Sequence, residues 1–313
     1  MSVLLQRVTS GVVIGASLLG AMILDGWLAE RFVSEPPRGG FDVVAWLCNG
    51  AVSTFIILAL ALMCAREVTH FLRTTGYRPN RLVAQFFAAG LVVGPYLMFN
   101  LDPDTPWRYE SWGMLWISLA LFMALVLQAA RRGAESAAVN VAAVLFVIVY
   151  VGGLAGYMTR LRMEIGGAAG VLVLFFSVFI VKANDMGAFF TGRAFGKHKL
   201  IPWLSPKKTW EGFAGGLLAS VLMSVLIGPM LPEAVVEGLR ASPLGYPWGF
   251  IWFGLLMGLL SVAGDLAASL LKRDAHMKDS GAVIPGMGGV LDILDSPLLA
   301  APAAWFFWTR LAG

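Results

Sequence analysis

Residues 261–296 read SVAGDLAASLLKRDAHMKDSGAVIPGMGGVLDILDS. The stretch opens as the end of an apolar run, 248–271, and closes as the start of another. On a helix, Ser261, Asp265, Ser269 and Lys272 recur at intervals of four, four and three, which stacks them on one face. A charged loop follows (Lys272, Arg273, Asp274, Lys278, Asp279), then the turn Pro285-Gly286-Met287-Gly288-Gly289. Asp292 and Asp295, three apart, share one side of the next helix. An ionised aspartate at the centre of a membrane helix costs roughly 2.5–3.5 kcal/mol on insertion scales, so acids placed there generally face a cavity and carry function.

The rest of the chain supplies the membrane. Of 313 residues, 58% are hydrophobic and only 13% charged, with a mean hydropathy of +0.76. A soluble domain carries about 25% charged residues, so this composition defines a polytopic, all-α integral membrane protein. Apolar runs at 12–28, 44–64, 82–99, 112–130, 137–157, 166–181, 212–231, 248–271 and 290–308 give about nine transmembrane helices. They divide into N-terminal membrane helices, 1–165, and a C-terminal catalytic region, 166–313, with polar loops at 182–211 and 272–289. With the N-terminus cytoplasmic, sixteen of the 23 Lys and Arg residues fall on the inside, and both polar loops with them. The expected location is a bacterial cytoplasmic (inner) membrane, with the active site facing the cytoplasm.

Several chemistries are excluded or disfavoured. No basic tail or aromatic-interleaved basic run points to nucleic acid. Cys48 and Cys64 are sixteen residues apart on one expected helix, roughly 24 Å, beyond disulfide reach. His70, His198 and His276 have no zinc spacing. Asp25, near the end of the first span, reads as interfacial, and Trp203, Trp210, Trp248 and Trp308 read as interfacial belts.

Asp265, Asp292 and Asp295, converging near one leaflet, are candidate ligands for a divalent cation, because Mg²⁺ prefers oxygen donors and retains waters. The alternative is that Asp292 or Asp295 caps a helix or pairs with Lys272 or Arg273. Gly288 and Gly289 before a helix open its N-terminus to an anion. The 182–211 segment begins with Asp185 at the end of the sixth span and adds a basic collar of Arg193, Lys197, Lys199, Lys207 and Lys208. Composition alone favours a loop docked on anionic headgroups. SPKKT is more specific: Pro206 stops a helix, while Ser205 and Thr209 set hydroxyls beside Lys207 and Lys208.

With these residues in view, the chain resembles the phosphatidate cytidylyltransferase (CDP-diacylglycerol synthase) family. SLLKRDAHMKDSGAVIPGMGGVLDILDS, 269–296, is similar to the family signature, and DMGAFFTGRAFGKHKLIPWLSPKKTWEGFAGG, 185–216, to a second block. The resemblance covers roughly the last 130 residues; the first 165 match only as a set of apolar spans. It implies condensation of CTP with phosphatidate to give CDP-diacylglycerol and pyrophosphate. It also implies Mg²⁺ (or Mn²⁺), alone or with a second cation, held by Asp265, Asp292 and Asp295. Lys272, Arg273, Lys278 and Asp279, with Ser205, Lys207, Lys208 and Thr209, would handle phosphates and organise the loop. Met287 and Ile293 stand where the family often has His and Arg, which leaves details of substrate recognition open. Other readings are a CTP-dependent transferase or kinase acting on another lipid, and a cation- or proton-coupled transporter using Asp185, Asp265 and Asp292. Small-residue runs such as Ala214-Gly215-Gly216 suit close packing within one chain or in a homodimer.

Overall fold

The computed structural model describes residues 3–32, 43–101, 107–276 and 289–312. The chain is an all-α polytopic membrane protein with one short hairpin. Its helices are α1 (Val3–Phe32), α2 (Val43–Cys48), α3 (Ala51–Thr74), α4 (Arg81–Leu101), α5 (Trp107–Arg132) and α6 (Ala137–Val147). A wide turn, Ile148–Gly153, carries α6 on into α7 (Leu154–Ile165). There follow α8 (Gly167–Phe195), strands β1 (Lys199–Ile201) and β2 (Ser205–Thr209), α9 (Trp210–Ile227), α10 (Glu233–Ala241), α11 (Trp248–Asp274) and α12 (Leu291–Phe306).

Seven helical segments among the described residues are long and apolar enough to cross a bilayer; they correspond to the second through eighth expected spans. The first expected span falls within the 30-residue α1, and the ninth is the 16-residue α12 continued by a wide turn to Leu311. The second span differs from expectation. Gly50 adopts φ +86°, a left-handed conformation that glycine takes without strain, and breaks the run into α2 and α3. Cys48 and Cys64 therefore lie on different helices, both buried and free.

The larger correction concerns 182–211. The helix does not stop near Val181 but continues to Phe195, so half of the expected loop is α8. No proline interrupts 182–195, and its small residues pack closely on α9: a Cβ on Gly187 would lie 2.4 Å from that of Ala219. Asp185 is thus inside a helix, ~15 Å from its C-terminal end. The 214–216 run finds its partners on α8 of the same chain, Gly215 against Thr191 and Gly216 against Asn184.

Two further expectations fail for the same reason, burial. Asp25 is not interfacial but fully buried, with its Oδ2 2.9 Å from Nε of Arg162, itself wholly inside α7. Ser53 donates its hydroxyl to the same carboxylate at 2.8 Å, so the pair ties α1 to α3 and α7. Arg160 and Arg162, between the fifth and sixth expected spans, are helical and buried. Trp308 is also no belt residue: it packs among Phe176, Phe250, Phe253 and Phe307. Trp203, Trp210 and Trp248 are exposed.

Candidate active site

Helices α8, α9, α11 and α12 and the β1–β2 hairpin converge at one end of the helical bundle. The N-terminus of α12 is set by an acid from the other half of the chain: Glu67 of α3, only 7% exposed, accepts hydrogen bonds from Val290 N and Leu291 N, each at 2.9 Å. These are backbone donors that a helix start otherwise leaves unpaired. Asp292 reaches back to accept from Gly289 N at 3.0 Å. Further along, α12 lies so close to α11 that a Cβ on Gly264 would stand 2.6 Å from the Asp295 carbonyl oxygen. Ser296 Oγ donates to Ser261 O at 3.0 Å across the same contact. Asp265 and Asp295 are thereby fixed on facing helices.

The hairpin is pinned beside them. Strands β1 and β2 pair antiparallel, Lys199 opposite Thr209 and Ile201 opposite Ser205. Glu211 accepts from Lys197 N at 3.1 Å and meets His198 Nδ1 at 2.7 Å, and Thr209 Oγ1 caps α9 by accepting from Gly212 N at 3.1 Å. Arg273 Nε, 3.4 Å from Leu204 O, links the end of α11 to the hairpin turn.

These elements enclose a cavity of about 590 Å³. Ten residues singled out from the sequence line it: Asp185, Arg193, Ser205, Lys207, Lys208, Thr209, Asp265, Lys272, Asp292 and Asp295. Arg273 and Gly289 act beside it through the bonds just given. Lys278, Asp279 and Gly288, with Met287, lie outside the described residues. The charges interlock: Lys208 Nζ is 2.9 Å from Asp265 Oδ2, Lys272 Nζ 2.7 Å from Asp292 Oδ1, and Lys182 Nζ 3.2 Å from Asp185 Oδ2. Ser261 donates to Asp185 Oδ1 at 2.6 Å. Asp295 is within electrostatic reach of Asp265 and Asp185. Asp292 therefore both supports a helix start and pairs with Lys272, while also facing the cavity. Among the described residues, no three His, Cys, Asp or Glu side chains are close enough to enclose an ion by themselves.

Sequence reasoning missed three contributors. Asn184, 1% exposed, lines the cavity, and its Oδ1 has no hydrogen-bond partner; a polar pair, Asn184-Asp185, inside an apolar run was its signal. Phe189 is both cavity wall and exposed surface, 59% accessible, so the cavity opens beside an apolar face. Glu67 left only a weak trace, an acid near the end of a span.

The fold and the site define a helical membrane protein with a cavity of carboxylates and lysines that opens beside an apolar wall. The family assignment is narrower. A family model, the cytidylyltransferase family, matches residues 39–311, and the chain belongs to that family. It is similar to the phosphatidate cytidylyltransferase of Haemophilus influenzae, 39% identical over 139 residues, 44% of this chain and 46% of that protein. The phosphatidate cytidylyltransferase of Bacillus subtilis is 30% identical over 222 residues, 69% of this chain and 77% of that one. Phosphatidate cytidylyltransferase 5, chloroplastic, of Arabidopsis thaliana is 28% identical over 334 residues, 98% and 72% respectively. The chain spans about half the length of the Haemophilus and mycobacterial relatives it matches.

Proposed function

We propose that the protein transfers the cytidylyl group of CTP to phosphatidate, giving CDP-diacylglycerol and pyrophosphate. The observation that carries this reading is the single cavity in which aspartates of α8, α11 and α12 meet lysines of β2 and α11. Both substrates are polyanions, so the chemistry needs neutralised charge and alignment more than a strong base. A phosphate oxygen of phosphatidate attacks the α-phosphorus of CTP; the bond from that phosphorus to the bridging oxygen of the β-phosphate breaks, and pyrophosphate leaves with the electron pair.

Lys208 and Lys272 hold carboxylates at 2.9 and 2.7 Å. On binding they exchange those carboxylates for phosphate oxygens, and Lys207 and Arg193 add positive charge at the rim. Phosphatidate enters sideways past Phe189 with its acyl chains in the leaflet, while CTP arrives from the cytoplasm. The Lys and Arg asymmetry supports this orientation and a cytoplasmic N-terminus, and the bacterial relatives support a bacterial cytoplasmic membrane.

The donor set fits a divalent cation. Asp185, Asp265, Asp292 and Asp295 are hard oxygen donors on one cavity, and the unpaired Asn184 Oδ1 adds a neutral one. Mg²⁺ is commonly held by one or two carboxylates plus substrate phosphates, which does not require a closed cage of protein ligands. Asp265, Asp292 and Asp295 would hold Mg²⁺ or Mn²⁺, with Asp185 and Asn184 available to a second cation. Bound there, a divalent ion neutralises triphosphate charge and polarises the α-phosphorus.

Purified protein given phosphatidate and CTP labelled in either the cytidine ring or the γ-phosphate tests the reading. Cytidine label in the lipid and γ-label in pyrophosphate are expected. γ-Label in the lipid means a kinase, and ion flux across proteoliposomes without CTP and without transfer means a transporter; either overturns it.

A further inference from the structure

A second cavity, about 200 Å³, lies between the ends of α3, α4, α5 and α6 and shares no residue with the first. Its volume is several times the ~30 Å³ that one water occupies in the liquid. Four arginines line it: Arg73 from the last turn of α3, Arg81 at the start of α4, and Arg131 and Arg132 at the end of α5. None of the four forms an ion pair among the described residues.

Neutral acceptors hold these side chains around the space. Arg73 Nη2 donates to Pro79 O at 3.2 Å, Arg81 Nε to Gln85 Oε1 at 3.2 Å, and Arg132 to the Arg78 carbonyl. Each bond occupies one of five guanidinium N–H groups and leaves the fork available. On the cavity wall, Asn140, 5% exposed, spends its Oδ1 on Arg78 N at 2.8 Å, which leaves the Nδ2 amide as a further donor. The rest of the wall combines the polar Asn80 and Gln128 with apolar residues such as Leu82 and Leu127, and the adjoining face of α5 exposes Phe122, Leu125 and Val126.

The arginines gather at the same end of the molecule as the catalytic cavity. Glu67, which holds the start of α12, and Arg73 are six residues apart on α3, ~9 Å along its axis.

We propose that this cavity binds the phosphodiester headgroup of an anionic phospholipid, drawn from the leaflet that faces the catalytic cavity, with acyl chains along α5. Clustered guanidinium forks without a carboxylate match phosphate oxygens in charge and geometry. The exposed apolar face of α5 beside the cationic mouth selects a lipid over a soluble anion, and basic pockets between membrane helices are a known mode of headgroup recognition.

Native mass spectrometry of the whole protein in detergent, with phosphatidylglycerol or phosphatidylcholine added, tests the site. Phosphatidylglycerol is a diester without the monoester oxygen that the proposed reaction requires, so its retention does not depend on turnover. Retention of phosphatidylglycerol over phosphatidylcholine is expected. Arg81→Gln with Arg131→Gln should weaken it about 30-fold, roughly fivefold per arginine. Lys208→Gln, in the other cavity, should retain it as the parent does. Glycerol phosphate should not displace it. Arg131→Gln alone, at an exposed side chain, gives the fivefold step with an unchanged melt in lipid-free detergent should the double variant fail to fold. Equal retention of both lipids, loss in Lys208→Gln instead of the arginine variants, or displacement by glycerol phosphate overturns the assignment.

Discussion

Replacing Glu67 by Gln should impair turnover although the side chain lines neither cavity. Its two carboxylate oxygens take Val290 N and Leu291 N at 2.9 Å each, and hydrogen bonds to a charged group contribute about 1.5–3 kcal/mol apiece. Glutamine offers one neutral oxygen and turns an NH₂ group toward the other N–H. One bond weakens and one buried donor is left unpaired, a loss of about 2–3 kcal/mol in the preference of α12 for this position. Asp292 and Asp295 ride on that helix, and a ~1 Å misplacement near reacting groups costs on the order of 100-fold in rate. If the loss falls on the transition state, kcat drops roughly 30- to 150-fold, while the KM for CTP changes less than about threefold. The assay is CDP-diacylglycerol formation by purified variants whose melting shows intact fold, with Glu67→Asp, which keeps the charge, expected between the two. A Glu67→Gln protein within about twofold of the parent kcat would refute the positioning role.

Other perturbations separate structure from chemistry. Gly264→Ala forces a Cβ to 2.6 Å from the Asp295 carbonyl; overpacking of this kind costs about 1–3 kcal/mol, so both melting temperature and turnover should fall. Asp25→Asn leaves the buried Arg162 without its counter-charge and should destabilise by about 3–5 kcal/mol, read as lost detergent-stable protein. Its surviving folded fraction should turn over normally, because the pair lies outside the catalytic cavity. Chelating divalent cations should stop product formation, and Mg²⁺ or Mn²⁺ should restore it.

The membrane character, most spans and ten of the cavity residues are legible in the sequence because each leaves a local mark. Apolar runs declare helices, and Asp265, Asp292 and Asp295 stand out against them. What stays hidden depends on partners distant along the chain. The helical path of 182–195 rests on small residues of α8 meeting those of α9, whereas the charges there read as a loop. Asp25 looks interfacial until Arg162, 137 positions away, comes beside it. Glu67 bonds to backbone N–H groups, which carry no sequence signature. The turn holding Lys278, Asp279 and Gly288 lies outside the described residues, and its part in phosphate binding rests on the sequence.

Asp265→Asn offers the most direct measurement, because the substitution keeps the size of a side chain held by Lys208 while removing its charge. Folded variant protein supplied with CTP, phosphatidate and Mg²⁺ should form CDP-diacylglycerol and pyrophosphate at least about a thousandfold more slowly than the parent, a barrier increase of about 4 kcal/mol. Turnover near the parent rate would place the reacting phosphates elsewhere and contradict the account.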